Sequence, residues 1–463
     1  MPVEGRGLSS RPTQQVARDR RLGNLATPGR VQALRTALHT KAKAEPGYRF
    51  YTLYDKVIRE DVLAYAYACC KSNHGAAGVD TEQFEDIEQY GEERWLRELA
   101  QALRSKTYQP EAVRRVYLPK PNGKLRPLGI PTIRDRVVET AAMLVLEPIF
   151  EADLAPEQHA YRPGRSAHTA VKQVHGLLST GHTQVIDADL SAYFDRIPHS
   201  TLLRSMARRI TDRAMLHLLK RWLETPVEEM DERGGKRRTT VNRDTARGTP
   251  QGSPISPLLA NVYMRRFILG WQKHGLQQRF GAYIVNYADD LVICCRRGAD
   301  EALTAMRHIM ARLELTVNEE KTHVCRLPDE TFDFLGYTFG RCYSSKTGRA
   351  YLGTRPSRKS IRRMTEAIHR QTSRSMQWME AADLVESLNR KLRGWTNDFS
   401  LGPVTKGYRR LDHYTTTRLR RWHCGKHKVS GTGVSRYPDE YLYDRLGLIR
   451  LPLLPQRLPW ANA

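Results

Sequence analysis

Tyr283-Ile284-Val285-Asn286-Tyr287-Ala288-Asp289-Asp290-Leu291-Val292-Ile293-Cys294-Cys295 is two short apolar runs set around a pair of acids. Apolar runs of this length, rich in β-branched and aromatic residues, predict a hairpin with both carboxylates at its turn. Adjacent acids repel, and such a pair by itself reads as a solvated turn. A third carboxylate about a hundred residues upstream changes that reading, in Val185-Ile186-Asp187-Ala188-Asp189-Leu190. Strand alternation puts Val185, Asp187 and Asp189 on one face and Ile186, Ala188 and Leu190 on the other. One face of a core strand is therefore acidic. Carboxylates gathered from neighbouring strands suit Mg²⁺, a hard ion that keeps room for water and phosphate oxygens. Two such ions can stabilise the attacking and leaving oxygens of an in-line displacement, which is the chemistry of nucleotidyl transfer.

The composition points the same way. The 463 residues carry 75 Lys+Arg against 50 Asp+Glu, a net charge of +25 that calls for a polyanionic partner. Residues 1–50 hold ten basic and three acidic side chains, and residues 355–430 hold eighteen and six. At 40% apolar the chain has enough hydrophobic content to fold, and its length suggests about three domains. Seven cysteines include the adjacent pairs Cys69/Cys70 and Cys294/Cys295, so no disulfide framework is expected and a reducing, cytoplasmic setting is. No signal peptide is evident, and the apolar run Ala141 to Leu146 is too short for a bilayer, so no membrane partner is expected.

Along the chain, residues 50–106 read as helices, with Leu53, Val57, Val62 and Ala66 at helical spacing. Val116 to Pro131 reads as a hairpin around Pro121-Asn122-Gly123. Strands then alternate with helices to about Tyr351. Beyond Arg355 the pattern turns helical, and Leu384, Leu388, Leu392 and Trp395 form one apolar stripe. Gly431 to Gly433 marks an expected break before a short appendage. Cys424 and His427 form a lone C-x-x-H with no second pair, so no zinc is expected.

Ordered blocks make the chain resemble a group II intron-encoded reverse transcriptase/maturase. Asn73 to Asp80 is similar to the N-terminal extension of that family, Leu118 to Pro131 to its fingers hairpin, and Ala160 to Ser166 to its second block. Asp189-Leu190-Ser191-Ala192-Tyr193-Phe194-Asp195-Arg196-Ile197 resembles polymerase motif A, Gly248 to Asn261 motif B, and Tyr287 to Asp290 motif C. Leu313 to Lys321 and Phe334 to Tyr337 look like motifs D and E, and Leu392 to Trp395 like the maturase (X) region.

The resemblance implies an α+β, right-hand polymerase. Its expected parts are a basic arm and extension at 1–106, fingers and palm with an antiparallel sheet at 107–345, an α-helical thumb/maturase domain at 346–430, and a C-terminal appendage at 431–463 that is a candidate for DNA binding. It implies that Asp189, Asp289 and Asp290 are catalytic and, with the carbonyl of Leu190, hold two Mg²⁺ ions. Lys120, Arg126, Phe194, Gln251 and Ala288 would contact the dNTP, with Phe194 as the gate against ribose. Lys321 would be the general acid, the alternative being a surface ion pair. Asp187 is expected to be structural. The partners implied are group II intron RNA or another RNA template and a DNA primer or target DNA. Oligomeric state stays open. No H-N-H endonuclease is expected, since the paired cysteines of one are absent. The alternatives are a domesticated or defence-associated relative without an intron, and an RNA-binding splicing cofactor in which polymerisation is dispensable.

Overall fold

A computed structural model describes residues 25–119, 125–230, 235–344 and 347–454. Its strands, in chain order, are β1 (Val113–Pro119), β2 (Leu125–Ile130), β3 (Gln184–Asp189), β4 (Val227–Met230), β5 (Lys236–Thr239), β6 (Tyr283–Tyr287), β7 (Asp290–Cys295), β8 (His323–Arg326), β9 (Phe332–Phe334), β10 (Tyr337–Tyr343) and β11 (Ala350–Pro356). The chain divides into two compact units. One comprises Met1–Leu154, Tyr161–Arg165 and Ile197–Val262; the other comprises Ala155–Ala160, Ser166–Arg196 and Tyr263–Ala463.

The first unit is built on the helix Ile133–Glu151, buried on nearly every side. Thr132 starts it by accepting a hydrogen bond from the Asp135 amide, as an N-cap should. The helix Glu60–Ser72 turns Val62, Leu63 and Ala66 inward, while Val57 ends a separate short helix, Tyr54–Val57, that Leu53 precedes. The expected hairpin is present: β1 and β2 pair antiparallel from Arg114↔Ile130 to Pro119↔Leu125. Sequence reading did not anticipate that β1 also pairs parallel with β4, which pairs antiparallel with β5, giving the order β2-β1-β4-β5.

In the second unit the sheet order is β6-β7-β3-β8, antiparallel throughout. Val185, Val285, Val292 and Cys294 pack with Ala170, Val171 and Val174 of the helix Ala167–Ser179, so the sheet face that carries Asp187 and Asp189 is apolar and covered away from the acids. A second sheet, β11-β10-β9, shares that core through Phe332, Phe334 and Phe339. Three helices follow: Arg358–Gln371, Ala381–Asp398 and Thr405–Lys426. The stripe Leu384, Leu388, Leu392 and Trp395 lies in their core with Tyr408, Leu411 and Trp422. Residues 432–454, part of the expected appendage, are not separate in packing. Tyr437, Leu442, Leu448 and Leu451 are buried in this same core, where they cover apolar helix surface. Among the described residues, no helix is long and apolar enough to cross a membrane.

Candidate active site

The pairing of β3 with β7 sets Asp189 directly opposite Asp290 and Asp187 opposite Val292. Directly opposed residues of an antiparallel pair have neighbouring side chains. β6 and β7 are joined by the two-residue turn Ala288-Asp289, with Tyr287 opposite Asp290, so all three acids meet at one end of the sheet. Ala288 takes a φ of 58°, left-handed backbone that an L-residue adopts at a cost. Buried Asn286 holds the turn in place: its Nδ2 donates to the carbonyl of Ala288 at 2.9 Å and to that of Asp290 at 3.3 Å.

Asp189 is gripped from a second direction by the segment after Leu315. Its Oδ2 accepts from Lys321 Nζ at 2.7 Å and from Asn318 Nδ2 at 3.1 Å. The Asn318 amide donates to the Asp189 carbonyl at 2.8 Å, and the Ser191 amide to the Thr316 carbonyl at 2.9 Å. These two bonds flank the bridge between Leu190 and Val317 and do not use the carbonyl of Leu190. The Lys321 ammonium is raised above its ordinary value, first by the bond to Asp189 and further by the charges of Asp289 and Asp290. Asp290 reaches solvent, yet loss of hydration pushes its carboxyl up to about 7, and the charges of Asp289, Asp189 and Asp187 add to this. Burial pushes Asp187 up to about 6, with Asp189 and Asp333 adding and His323 opposing.

Repulsion among carboxylates at one spot is the condition a divalent cation relieves. Among the described residues, no three His, Cys, Asp or Glu side chains converge as a ready-made metal cage. The donor set nevertheless fits Mg²⁺: acid oxygens from two strands and a turn, plus a main-chain carbonyl outside the ladder, with Lys321 supplying the positive charge at Asp189.

Phe194 sits on the short helix Tyr193–Arg196, half-buried, edge-on to buried Tyr193 at 5.6 Å between ring centres. Ala192 just before it has a φ of 50°. The remaining expected nucleotide contacts belong to the first unit. Arg126 is exposed on β2, opposite Leu118. Lys120 lies outside the described residues. The carbonyl of Gln251 accepts from the Gly129 amide at 2.6 Å, tying the loop to β2. Gly252 has a φ of 115°, and a Cβ there would stand 2.2 Å from the carbonyl oxygen of Gly129. Only glycine allows so close an approach.

Sequence reasoning missed Asn286 and Asn318. A polar amide inside an apolar strand was the signal for the first. Nothing local signals the second, whose partner Asp189 is distant in the chain.

An antiparallel sheet with acids on a central strand and on the adjoining hairpin turn, followed by a helical domain, belongs to the class of nucleic-acid polymerases with a palm. Residues 118–339 match the reverse transcriptase (RNA-dependent DNA polymerase) family, and residues 361–437 match the group II intron maturase-specific domain. Protein YkfC of Escherichia coli K12 is 32% identical over 368 residues, covering 71% of this chain and 93% of YkfC. The group II intron-encoded protein LtrA of Lactococcus lactis subsp. cremoris is 34% identical over 224 residues, 48% of this chain and 35% of LtrA. An uncharacterized 91 kDa protein in the cob intron of Schizosaccharomyces pombe is 32% identical over 219 residues, 46% of this chain and 25% of that protein. The chain belongs to the group II intron-encoded reverse transcriptase/maturase family.

Proposed function

We propose that the protein is an RNA-directed DNA polymerase that copies RNA into DNA from dNTPs and binds group II intron RNA to assist its splicing and mobility. The observation that carries this reading is the strand register opposing Asp189 and Asp290 with Asp289 in the turn between β6 and β7. Asp189, Asp289, Asp290 and the Leu190 carbonyl would hold two Mg²⁺ ions, whose chemistry when bound is to stabilise the attacking and leaving oxygens of the displacement. Lys321, kept protonated by its bond to Asp189, holds a proton beside the reacting phosphate. Phe194 excludes a 2′-hydroxyl by bulk. Arg126, and Lys120 ahead of it, bind the triphosphate as a bidentate fork and a point charge. Gln251 and Gly252 lie against the nascent base pair, and Ala288 lets the turn approach the primer end.

The family match to a maturase-specific domain supports the RNA half of the reading. Its helix Arg358–Gln371 presents Arg362 and Arg363 outward, cations suited to RNA phosphates. Such binding weakens steeply with salt. A splicing cofactor alone would not need the acid cluster.

The test is Asp289→Ala with a primed RNA template, Mg²⁺ and dNTPs. Primer extension should be abolished while RNA affinity stays within a few-fold. Retained synthesis would refute the assignment.

A further inference from the structure

Trp378 lies between the helices Arg358–Gln371 and Ala381–Asp398, just after the short turn Arg374–Met376, and it is 74% exposed. The other described tryptophans, Trp95, Trp222, Trp271, Trp395 and Trp422, are at most 9% exposed. An indole carries a large apolar surface, and the helical core that takes Trp395 and Trp422 belongs to the same unit. Trp378 stays outside that core because its segment is held elsewhere.

The segment is docked along the last turns of the helix Thr405–Lys426. Arg418 Nη2 donates to the Thr372 carbonyl at 2.8 Å, Trp422 Nε1 to the Met376 carbonyl at 3.2 Å, and Lys426 Nζ to the Met379 carbonyl at 2.6 Å. These donors recur every fourth residue and so share one helix face. Gly425 borders that face, and a Cβ there would collide with the side-chain amide of Gln377, the residue before Trp378. Within the segment, the Met376 amide donates to the Ser373 carbonyl at 3.1 Å and the Met379 amide to the Met376 carbonyl at 3.2 Å. Both chain neighbours of Trp378 are therefore fixed, and the indole is presented outward on a stiff support.

The cations around it fall into two sets. Arg418, Arg420 and Lys426 are engaged in the fold: Arg420 Nε donates to the Tyr437 carbonyl at 2.9 Å, and Lys426 pairs at 3.1 Å with Glu380, the one acid among residues 372–380. Arg374, Arg421 and Lys428 are exposed, and among the described residues none of their side chains has a hydrogen-bond or ion-pair partner. Arg374 stands four residues before Trp378, Arg421 one turn before Gly425, and Lys428 just past the helix end. A rigid aromatic face beside uncommitted cations suits a nucleic-acid strand with unpaired bases, the face taking a base and the cations its phosphates. A duplex keeps its bases stacked inside and offers phosphates alone. All four residues fall within the segment 361–437 that matches the maturase-specific domain.

We propose that Trp378 is a stacking platform for an unpaired base of the bound RNA, with Arg374 and Arg421 taking neighbouring phosphates. This rests on the RNA half of the reading above and not on polymerisation.

The experiment uses the full chain and two fluorescein-labelled RNA probes, a hairpin with an unpaired purine loop and a fully paired duplex. Trp378→Ala should weaken hairpin binding by about 5- to 150-fold, the loss of one base stack. Duplex binding should be unchanged, and so should the slope of log affinity against log salt, because no phosphate contact is removed. Trp378→Phe, which keeps an aromatic face, should recover most of the hairpin affinity. Arg374→Gln should weaken both probes and reduce the salt slope by roughly one. The hairpin should also quench indole fluorescence in the unaltered protein, and that quench should vanish in Trp378→Phe. Unchanged hairpin affinity in Trp378→Ala would overturn the platform. So would an equal loss on both probes, or a loss seen only with phosphatidylserine vesicles. If the unaltered protein bound neither RNA, the RNA reading itself would fall and the platform with it.

Discussion

Substituting Gly252 by alanine adds one carbon at the tightest point of the loop tied to β2. That carbon would lie 2.2 Å from the Gly129 carbonyl oxygen and 3.1 Å from Leu128 Cδ1. The leucine end can rotate away. The Gly129 backbone cannot, because it is held in the β1–β2 ladder opposite Arg115. The loop must move instead. Left-handed backbone at a φ of 115° costs an L-residue about 1–3 kcal/mol, and loss of the Gly129 to Gln251 hydrogen bond adds about 0.5–1.5 kcal/mol. At about 1.4 kcal/mol per tenfold, a combined ~1.5–4.5 kcal/mol lowers the population of the native loop by roughly 10- to 1500-fold. The assay is kcat/KM for dNTP incorporation on a primed RNA template, with RNA affinity measured in parallel. A loss of that size with RNA affinity unchanged is expected. Gly252→Ala within threefold of the unaltered protein would refute the reasoning that this loop's position governs nucleotide use.

Other expectations follow from the second unit. Phe194→Ala should admit ribonucleotides more readily, read as the ratio of rNTP to dNTP incorporation; an unchanged ratio removes the gate from Phe194. Lys321→Met should slow incorporation by roughly 100- to 10,000-fold if the ammonium handles a proton. Its side chain is 65% exposed, so thermal stability should hardly move, and an unaltered rate would leave only a surface ion pair. His423 is fully buried, and neither ring nitrogen has a partner among the described residues; burial, with His427 and Lys426 adding, pushes it down to about 4. The unfolded chain then binds the extra proton between pH 6.5 and 4, so this contribution is complete above 6.5 and is lost as pH falls toward 4. Its ceiling is about 3 kcal/mol. His423→Phe keeps the ring stacked on Tyr437, and its denaturation midpoint should gain on that of the unaltered protein as the solution is acidified; a constant difference would contradict the assignment.

Much of the site was legible because strand alternation and hairpin signals are local. Asp187 and Asp189 share a face by period two, and the two acids of the turn are visible in five apolar residues on each side. The register that opposes Asp189 and Asp290 was not legible, since a pairing across about a hundred residues leaves no local trace. Nor was the partner of Lys321. Its neighbour Glu319 is taken by Arg307 at 3.2 Å, which leaves the lysine to Asp189. β5, Lys236-Arg237-Arg238-Thr239, carries none of the apolar pattern of a strand; it is fixed by pairing with β4, where buried Glu228 accepts both Lys236 at 3.3 Å and Arg238 at 2.7 Å. The tail after Gly431 read as an appendage because its apolar residues are spaced by prolines and glycines, and only the helical core shows what they cover.

A double-variant comparison tests most directly whether Asp189 and Asp289 act as one unit in DNA synthesis. Single-turnover primer extension should be measured for Asp189→Ala, Asp289→Ala and the two combined, at equal RNA occupancy. Groups that serve one transition state together lose nearly everything with the first removal. The combined variant should be no slower than either single variant, each reduced to background. Losses that multiply, or appreciable synthesis by either single variant, would contradict the account.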